Sequence, residues 1–358
     1  MDIINAKLIA RSMPNNDAFD DGTGYPSFFV WIKKFRLCDV LNTDDQSVHP
    51  AFIVNGKEID GFWAGKYISS VHNGIAYSLP LADPAVWNTW DQCYNYGKNK
   101  GNGYHMMTAA EYAAIALWCK KNGSMPYGNN NYGKDSRENV YQAMKTYDDG
   151  GKTGRTATGS GPVSWYHSKD LSGIADLNGN VWERKSGMRF VFGELQILAN
   201  NNAADTSNPQ NDTSVEWKAI NAADGTLVTP ECTVSGSAKT SGKTVKIDFV
   251  SGAWTYSSNI ANTTGQFGCA FANVKADSTI SDKAKLLLRS LAMLPEENAG
   301  SYDDDYYYIN NKEAERVVFV GGDWSDGAYA GVFDSRAADG RADSWNNNGF
   351  RLAYIENL

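Results

Sequence analysis

The chain has 358 residues, with 33 basic against 41 acidic side chains and a formal net charge of −8. Eleven Trp, 19 Tyr and 14 Phe within a hydrophobic share of 42% are enough for a large core, which excludes intrinsic disorder. The acidic balance excludes nucleic acid as main partner, no apolar run approaches the roughly 20 residues of a membrane span, and the opening Met1-Asp2-Ile3-Ile4-Asn5-Ala6-Lys7 does not read as a signal peptide.

Phe28 to Ile32 reads as a strand within a mixed segment, 1–48. Ala51 to Val54 and Phe62 to Tyr67 read as two short strands, and Asn55-Gly56 between them is a type I′ turn signal. Asp83-Pro84 predicts the start of a helix in which Trp87, Trp90 and Tyr94 recur until Gly97. Thr108 and Glu111 form a capping box, and Tyr112, Ile115, Ala116 and Cys119 make an apolar stripe that Lys120, Lys121 and Gly123 end. Residues 123–163, rich in Gly, Asn and Ser, predict a long ordered loop. Met188 to Leu198 reads as a strand pair, 199–285 as a polar insertion, and Leu286 to Leu294 as a helix. Strands at Val317 to Val320 and Phe350 to Ile355 bracket a stretch dense in Gly, Asp, Asn and Ala.

Most candidate chemistry fails on spacing. Gly151-Lys152-Thr153 ends like a phosphate-binding loop, but Thr146 stands where that motif needs glycine and no buried strand precedes it. Asp303-Asp304-Asp305 offers hard oxygen ligands to a cation but reads more simply as a solvated acidic turn among Tyr302 and Tyr306 to Tyr308. Four scattered His (49, 72, 105, 167) and no G-x-S-x-G or H-E-x-x-H leave a hydrolase or zinc enzyme without its signal. Five Cys (38, 93, 119, 232, 269) without C-x-x-C make neither a disulfide framework nor a zinc ribbon. The strongest local pattern is Asp176-Leu177-Asn178-Gly179-Asn180-Val181-Trp182-Glu183, a tight Asn-Gly turn flanked by carboxylates. Asp176 and Glu183, with the carbonyls of Gly179 and Val181, form a candidate site for structural Ca²⁺. The same residues also read as a purely structural turn with Trp182 in the core.

D-L-N-G-N-V-W-E resembles the D-x-x-G-N-V-W-E signature of the formylglycine-generating (sulfatase-modifying) family. Gly321-Gly322-Asp323-Trp324, Asn348-Gly349-Phe350-Arg351 and Asp60 to Tyr67 resemble further motifs of that family in the same order, over about 50–198 and 286–358. The resemblance implies an α+β architecture: the C-type lectin fold in its formylglycine-generating-enzyme subtype, with antiparallel sheets, two main helices and long ordered loops. It implies a domain over 49–358 with an insertion at about 199–285, and 1–48 packed on it. The family's oxidising enzymes carry a cysteine just after G-G-S-W. Here Ser325, Asp326 and Gly327 follow, and no Cys occurs after Cys269, so the chain is expected not to be an enzyme and to need no cofactor.

Residues 321–351 are also similar to the variable region of proteins diversified by retroelements, which use the same fold and include phage tropism determinants. That pattern, G-G-x-W-x-x-G-x-x-A-G-x-F and later G-F-R, is matched from Gly321 to Phe333 and at Gly349-Phe350-Arg351. The resemblance implies that Gly322, Trp324, Gly327, Ala330, Gly331, Phe333, Arg341, Gly349 and Phe350 are scaffold. It implies that Asp323, Ser325, Asp326, Tyr329, Arg336, Ala338, Asp339, Asp343, Trp345, Asn346 and Asn347 are ligand-binding positions open to substitution. Most of these side chains are reachable by randomising the two adenines of an Asn codon; Trp345 is not. Tyr329 and Trp345 are then expected as aromatic anchors and Arg336 as a bidentate donor.

The implied partner is a protein or cell-surface receptor of varied identity, the implied setting a phage tail tip or a bacterial cell, and oligomers occur among phage relatives. Read without the resemblance, 321–348 is a long Gly/Asp-rich loop over the core. A lectin W-N-D motif is approached by Trp345-Asn346-Asn347, but its E-P-N partner is missing, which counts against Ca²⁺-bridged sugar binding.

Overall fold

The structure, a computed structural model, describes residues 2–358 other than Thr23, Thr264, Asn298, Ala299 and Asn357. Sheet dominates, with few helices, in an α+β arrangement. One sheet has five strands in the order Asn16–Asp20, Pro26–Lys33, Gly61–Gly65, Leu352–Tyr354, Tyr104–Met106, all antiparallel. The other is larger and runs through Trp182–Val191, which pairs with Arg316–Val320 and Glu194–Ile197 and, in parallel, with Asn348–Phe350.

The helix Ala109–Lys121 begins at the expected capping box: Thr108 Oγ1 accepts from Glu111 N at 3.0 Å and Glu111 Oε2 from Thr108 N at 3.0 Å. It is buried around nearly its whole circumference rather than along one stripe, since Ala110, Ala113, Ala114 and Leu117 join Tyr112, Ile115, Ala116 and Cys119 in the main core. Alanine at so many positions lets neighbouring elements approach closely on several sides.

Other expectations shift. Asn55 and Gly56 both take positive φ (49° and 76°), as the I′ turn requires. The helix expected from Asp83-Pro84 starts instead at Trp90, capped by Thr89 with Gln92 (Trp90–Lys98). Asp83 is engaged elsewhere, by Arg155 and Thr146, and the Trp87 N–H donates to Trp345 O at 3.0 Å. The helix expected at Leu286 to Leu294 lies at Asp282–Ser290, capped by Ser281. Gly151-Lys152-Thr153 sits in a two-stranded hairpin, Asp148–Asp149 with Lys152–Thr153. Residues 199–285 contain the long hairpin Ser241–Val250 with Ala253–Asn259, and Val245, Ile247, Trp254 and Tyr256 enter the main core. The helix Ile3–Arg11, capped by Asp2, was not expected.

Candidate functional site

The signature at 176–183 builds a frame from amides and charges. Gly179 has φ +72°, and a Cβ there would lie 2.2 Å from Asn129 O, so only glycine fits. Gly179 N donates to Gly321 O at 2.7 Å and Asn180 N to Asn129 O at 2.7 Å. Asn180 exchanges two hydrogen bonds with the Thr156 backbone, at 2.9 and 3.0 Å. This clasp ties the loop at 123–163 to the start of 321–351.

Glu183 is held by Arg351, whose Nε and Nη2 donate to Oε1 at 3.1 and 2.5 Å, and by Lys185 Nζ at 2.8 Å. Arg351 also donates to Gly65 O and Ala175 O, at 3.0 and 2.9 Å. Burial raises the Asp176 carboxyl to about 6, and its Oδ2 accepts from Gly159 N at 2.7 Å. Glu183 is therefore already charge-matched by two cations. Among the described residues no three His, Cys, Asp or Glu side chains are grouped to hold a metal ion.

Above this frame lies a cleft of about 290 Å³. Asp323, Asp326, Arg336, Asp339, Trp345, Asn346 and Asn347 line it, with Trp182 and Asn348. Asp323 organises the near wall: Oδ1 accepts from Ser325 N and Oγ, both at 2.7 Å, and Oδ2 from Asn347 Nδ2 at 2.6 Å. Asp326 Oδ2 accepts from Asp323 N at 2.7 Å, and burial together with the Asp323 charge raises its carboxyl to about 7. Arg336 and Asp339 form a bidentate pair at 2.8 and 3.2 Å. The cleft can thus offer acceptors, amides, one guanidinium and indole faces to a ligand.

The remaining chosen positions divide. Ser325 and Tyr329 are exposed but outside the lining; Ser325 bonds to Asp323 of the near wall, and Tyr329 packs on Tyr306. Ala338 is buried, 3% exposed, so it presents nothing at the surface. Asp343 lies outside the lining; its Oδ2 accepts from Gly340 N at 2.7 Å and its carbonyl from Arg184 Nη2 at 2.6 Å. Of the expected scaffold, Gly322 has φ +78°, and a Cβ there would stand 2.5 Å from Ala330 Cβ. Trp324, Phe333 and Phe350 are buried. Arg341 pairs with Glu315 and Asp91 and stacks over Trp90 at 4.1 Å.

Three things escaped the sequence reading. Asp303 and Asp304 are exposed as expected, but Asp305 is buried; burial raises its carboxyl to about 8, and Oδ2 accepts from Phe333 N at 2.7 Å. Asp334 is also buried, with neither carboxyl oxygen hydrogen-bonded, and burial with the charges of Asp326 and Asp305 holds it well above the usual carboxylate range. The supports of 321–351 were missed too: Arg155 Nη1 reaches Asn346 O at 2.9 Å, Trp324 Nε1 reaches Asp149 Oδ2 at 3.1 Å, and Gly327 N donates to Asn130 O at 2.8 Å. Finally, Tyr306 and Tyr308 extend the aromatic surface. Tyr306 lies 4.8 Å from the Tyr329 ring, and Arg336 sits 5.3 Å over Tyr308. Strand alternation around buried Tyr307 was the available signal.

No family model matches the chain, and no curated protein matches it. Among solved structures it is similar to the Major Tropism Determinant P3c variant, at 10% identity and a TM-score of 0.32, over 93% of this chain and 66% of that one. The chain thus spans just under two thirds of that structure's length. It is similar to PvdO from Pseudomonas aeruginosa at 12% identity and a TM-score of 0.35, over 94% and 97%. Treponema denticola variable protein 1 stands at 10% and 0.30, over 95% and 99%.

Proposed function

We propose that the chain is a non-enzymatic display protein that binds a protein or cell-surface receptor through 321–351. In this reading the domain is 49–358, in the formylglycine-generating-enzyme subtype of the C-type lectin fold. Residues 1–48 pack on it, 199–285 is an insertion, and a retroelement varies the exposed positions of a phage tail-tip or bacterial surface protein. The reading requires no cofactor.

The observation that supports it is convergence. Side chains spread from 323 to 347 meet at one cleft, while the residues that hold the fold together, Glu183, Lys185 and Arg351, are buried away from it. A rigid frame with an alterable face lets recognition change without refolding.

A surface-display library randomising Ser325, Tyr329, Arg336, Trp345, Asn346 and Asn347 tests this. Most members should fold, and selection against an arbitrary globular protein should yield binders. A library that mostly unfolds, or turnover of a cysteine peptide with copper present, overturns the reading. In the source genome, a near-copy of the codons for 321–351 that differs only at adenines, beside a reverse transcriptase gene, is the expected neighbour.

A further inference from the structure

The cleft at 323–347 is electrically lopsided. Its lining carries three carboxylates, Asp323, Asp326 and Asp339, against one cation, Arg336. Arg336 is taken by Asp339 in the bidentate pair, at 2.8 and 3.2 Å. Asp323 and Asp326 are in no ion pair among the described residues. The hydrogen bonds they accept come from neutral amides and the Ser325 hydroxyl. Asp326 Oδ1 accepts from nothing among the described residues.

A buried group points the same way. Asp334, 1% exposed, has no hydrogen bond at either carboxyl oxygen. It lies directly behind the turn that carries Asp323 and Asp326. A Cβ on Gly322 would stand 2.9 Å from its Oδ2, and Asp326 is the charge that bears on it most, ahead of Asp305 and Asp323. Arg336 is the cation that faces this crowd. Such crowding holds protons on Asp326 and Asp334 that a bound cation would displace. Among the described residues these acids are not grouped to hold a metal ion, so their spread suits a wider, flat cation. The indoles of Trp345, half exposed, and Trp182 line the same cleft. A guanidinium meets both demands, with forked donors for two carboxylates and a planar face for an indole.

Given the reading of 321–351 as a receptor-binding face, on which this rests, we propose that the cleft receives a guanidinium group, the side chain of an arginine on the receptor. Its N–H groups donate to Asp326 Oδ1 and to the remaining lone pair of Asp323 Oδ2, and its plane stacks on Trp345. Asp334 makes no contact with it and supplies negative potential from behind the turn.

The test uses the full chain, with the indole N–H of Trp345, assigned through Trp345→Phe, as a local NMR probe. Model peptides with arginine, citrulline, lysine or glutamate between glycines are titrated into it. The arginine peptide is expected to shift that resonance with a Kd about tenfold lower than its neutral isostere citrulline, with lysine between them and glutamate weakest. From about pH 5.5 to about pH 8 the arginine peptide should tighten several-fold, as Asp326 loses its proton among Asp323, Asp334, Asp339 and Arg336, while citrulline stays flat. Asp326→Asn keeps an acceptor for Asp323 N and should bring arginine down to the level of citrulline. Circular dichroism matching the parent separates loss of binding from loss of fold. Equal Kd values for arginine and citrulline, arginine binding unchanged in the variant, a larger shift with Ca²⁺ than with the arginine peptide, or no shift with any peptide would overturn the proposal. None of these outcomes touches the display-library result, on which the receptor-binding reading stands or falls.

Discussion

Glu183–Arg351 and Asp339–Arg336 are both carboxylate–guanidinium pairs at short range, 2.5 and 2.8 Å. Their surroundings differ: the first pair has side-chain exposures of 2% and 0%, the second 13% and 32%. In the first, losing one partner strands a charge in a medium that solvates it poorly; in the second, water replaces what is lost. The same chemistry therefore locks a buried frame in one place and sits on a partly solvated surface in the other. Burial, more than residue type, marks the difference.

The largest effect expected from this contrast is at the frame. Arg351→Ala should cost about 3–5 kcal/mol in urea denaturation, since Lys185 alone remains against Glu183 and two carbonyls lose their donor. A cost below about 1 kcal/mol would erase the distinction. Next comes Gly322→Ala, where a positive φ and the close approach of Ala330 predict a loss on the order of 1–3 kcal/mol with the cleft lining unchanged. Thermal melting of the variant beside wild type checks it.

These frame residues were individually readable. Glu183 and Arg351 lie at the ends of two motifs, but the contact that gives them meaning spans 168 positions, and no local pattern carries it. The capping-box helix was legible because Thr108 and Glu111 satisfy each other within one turn. The helix start at Asp83 was misplaced for the converse reason: Arg155, 72 residues away, takes that carboxylate. Seven of the positions implied by the resemblance, Asp323, Asp326, Arg336, Asp339, Trp345, Asn346 and Asn347, do line one cleft. Burial was not legible from the motif: Ala338 is buried, while Tyr306 and Tyr308, outside the motif, are partly exposed.

Between frame and rim lie the buried acids. Burial holds Asp305 at about 8 and Asp326 at about 7, against about 4 for an unfolded Asp. Their contribution to stability is complete below pH about 4 and is lost as pH rises through 7 and 8. The melting temperature should accordingly fall between pH 5 and pH 8.5, and Asp305→Asn should flatten that fall while changing little at pH 5. An unchanged slope would place the titration elsewhere. The smallest effect belongs to the rim: Arg336→Ala should shift stability by only about 0–1 kcal/mol, read by the same denaturation. A cost as large as that of Arg351→Ala would move this pair into the frame.

Arg351 reaches back to Gly65 across 286 positions, and the strand at Leu352–Tyr354 fills the gap between Gly61–Gly65 and Tyr104–Met106. A sheet with an interior strand supplied from so far along the chain has high contact order, and closing such long loops slows folding. The five-stranded sheet cannot zip up before the stretch preceding that strand, 321–351, has itself found a compact path. A substitution at 323–347 that delays this closing step therefore leaves strand edges bare and prone to aggregation, whatever it does to the folded surface.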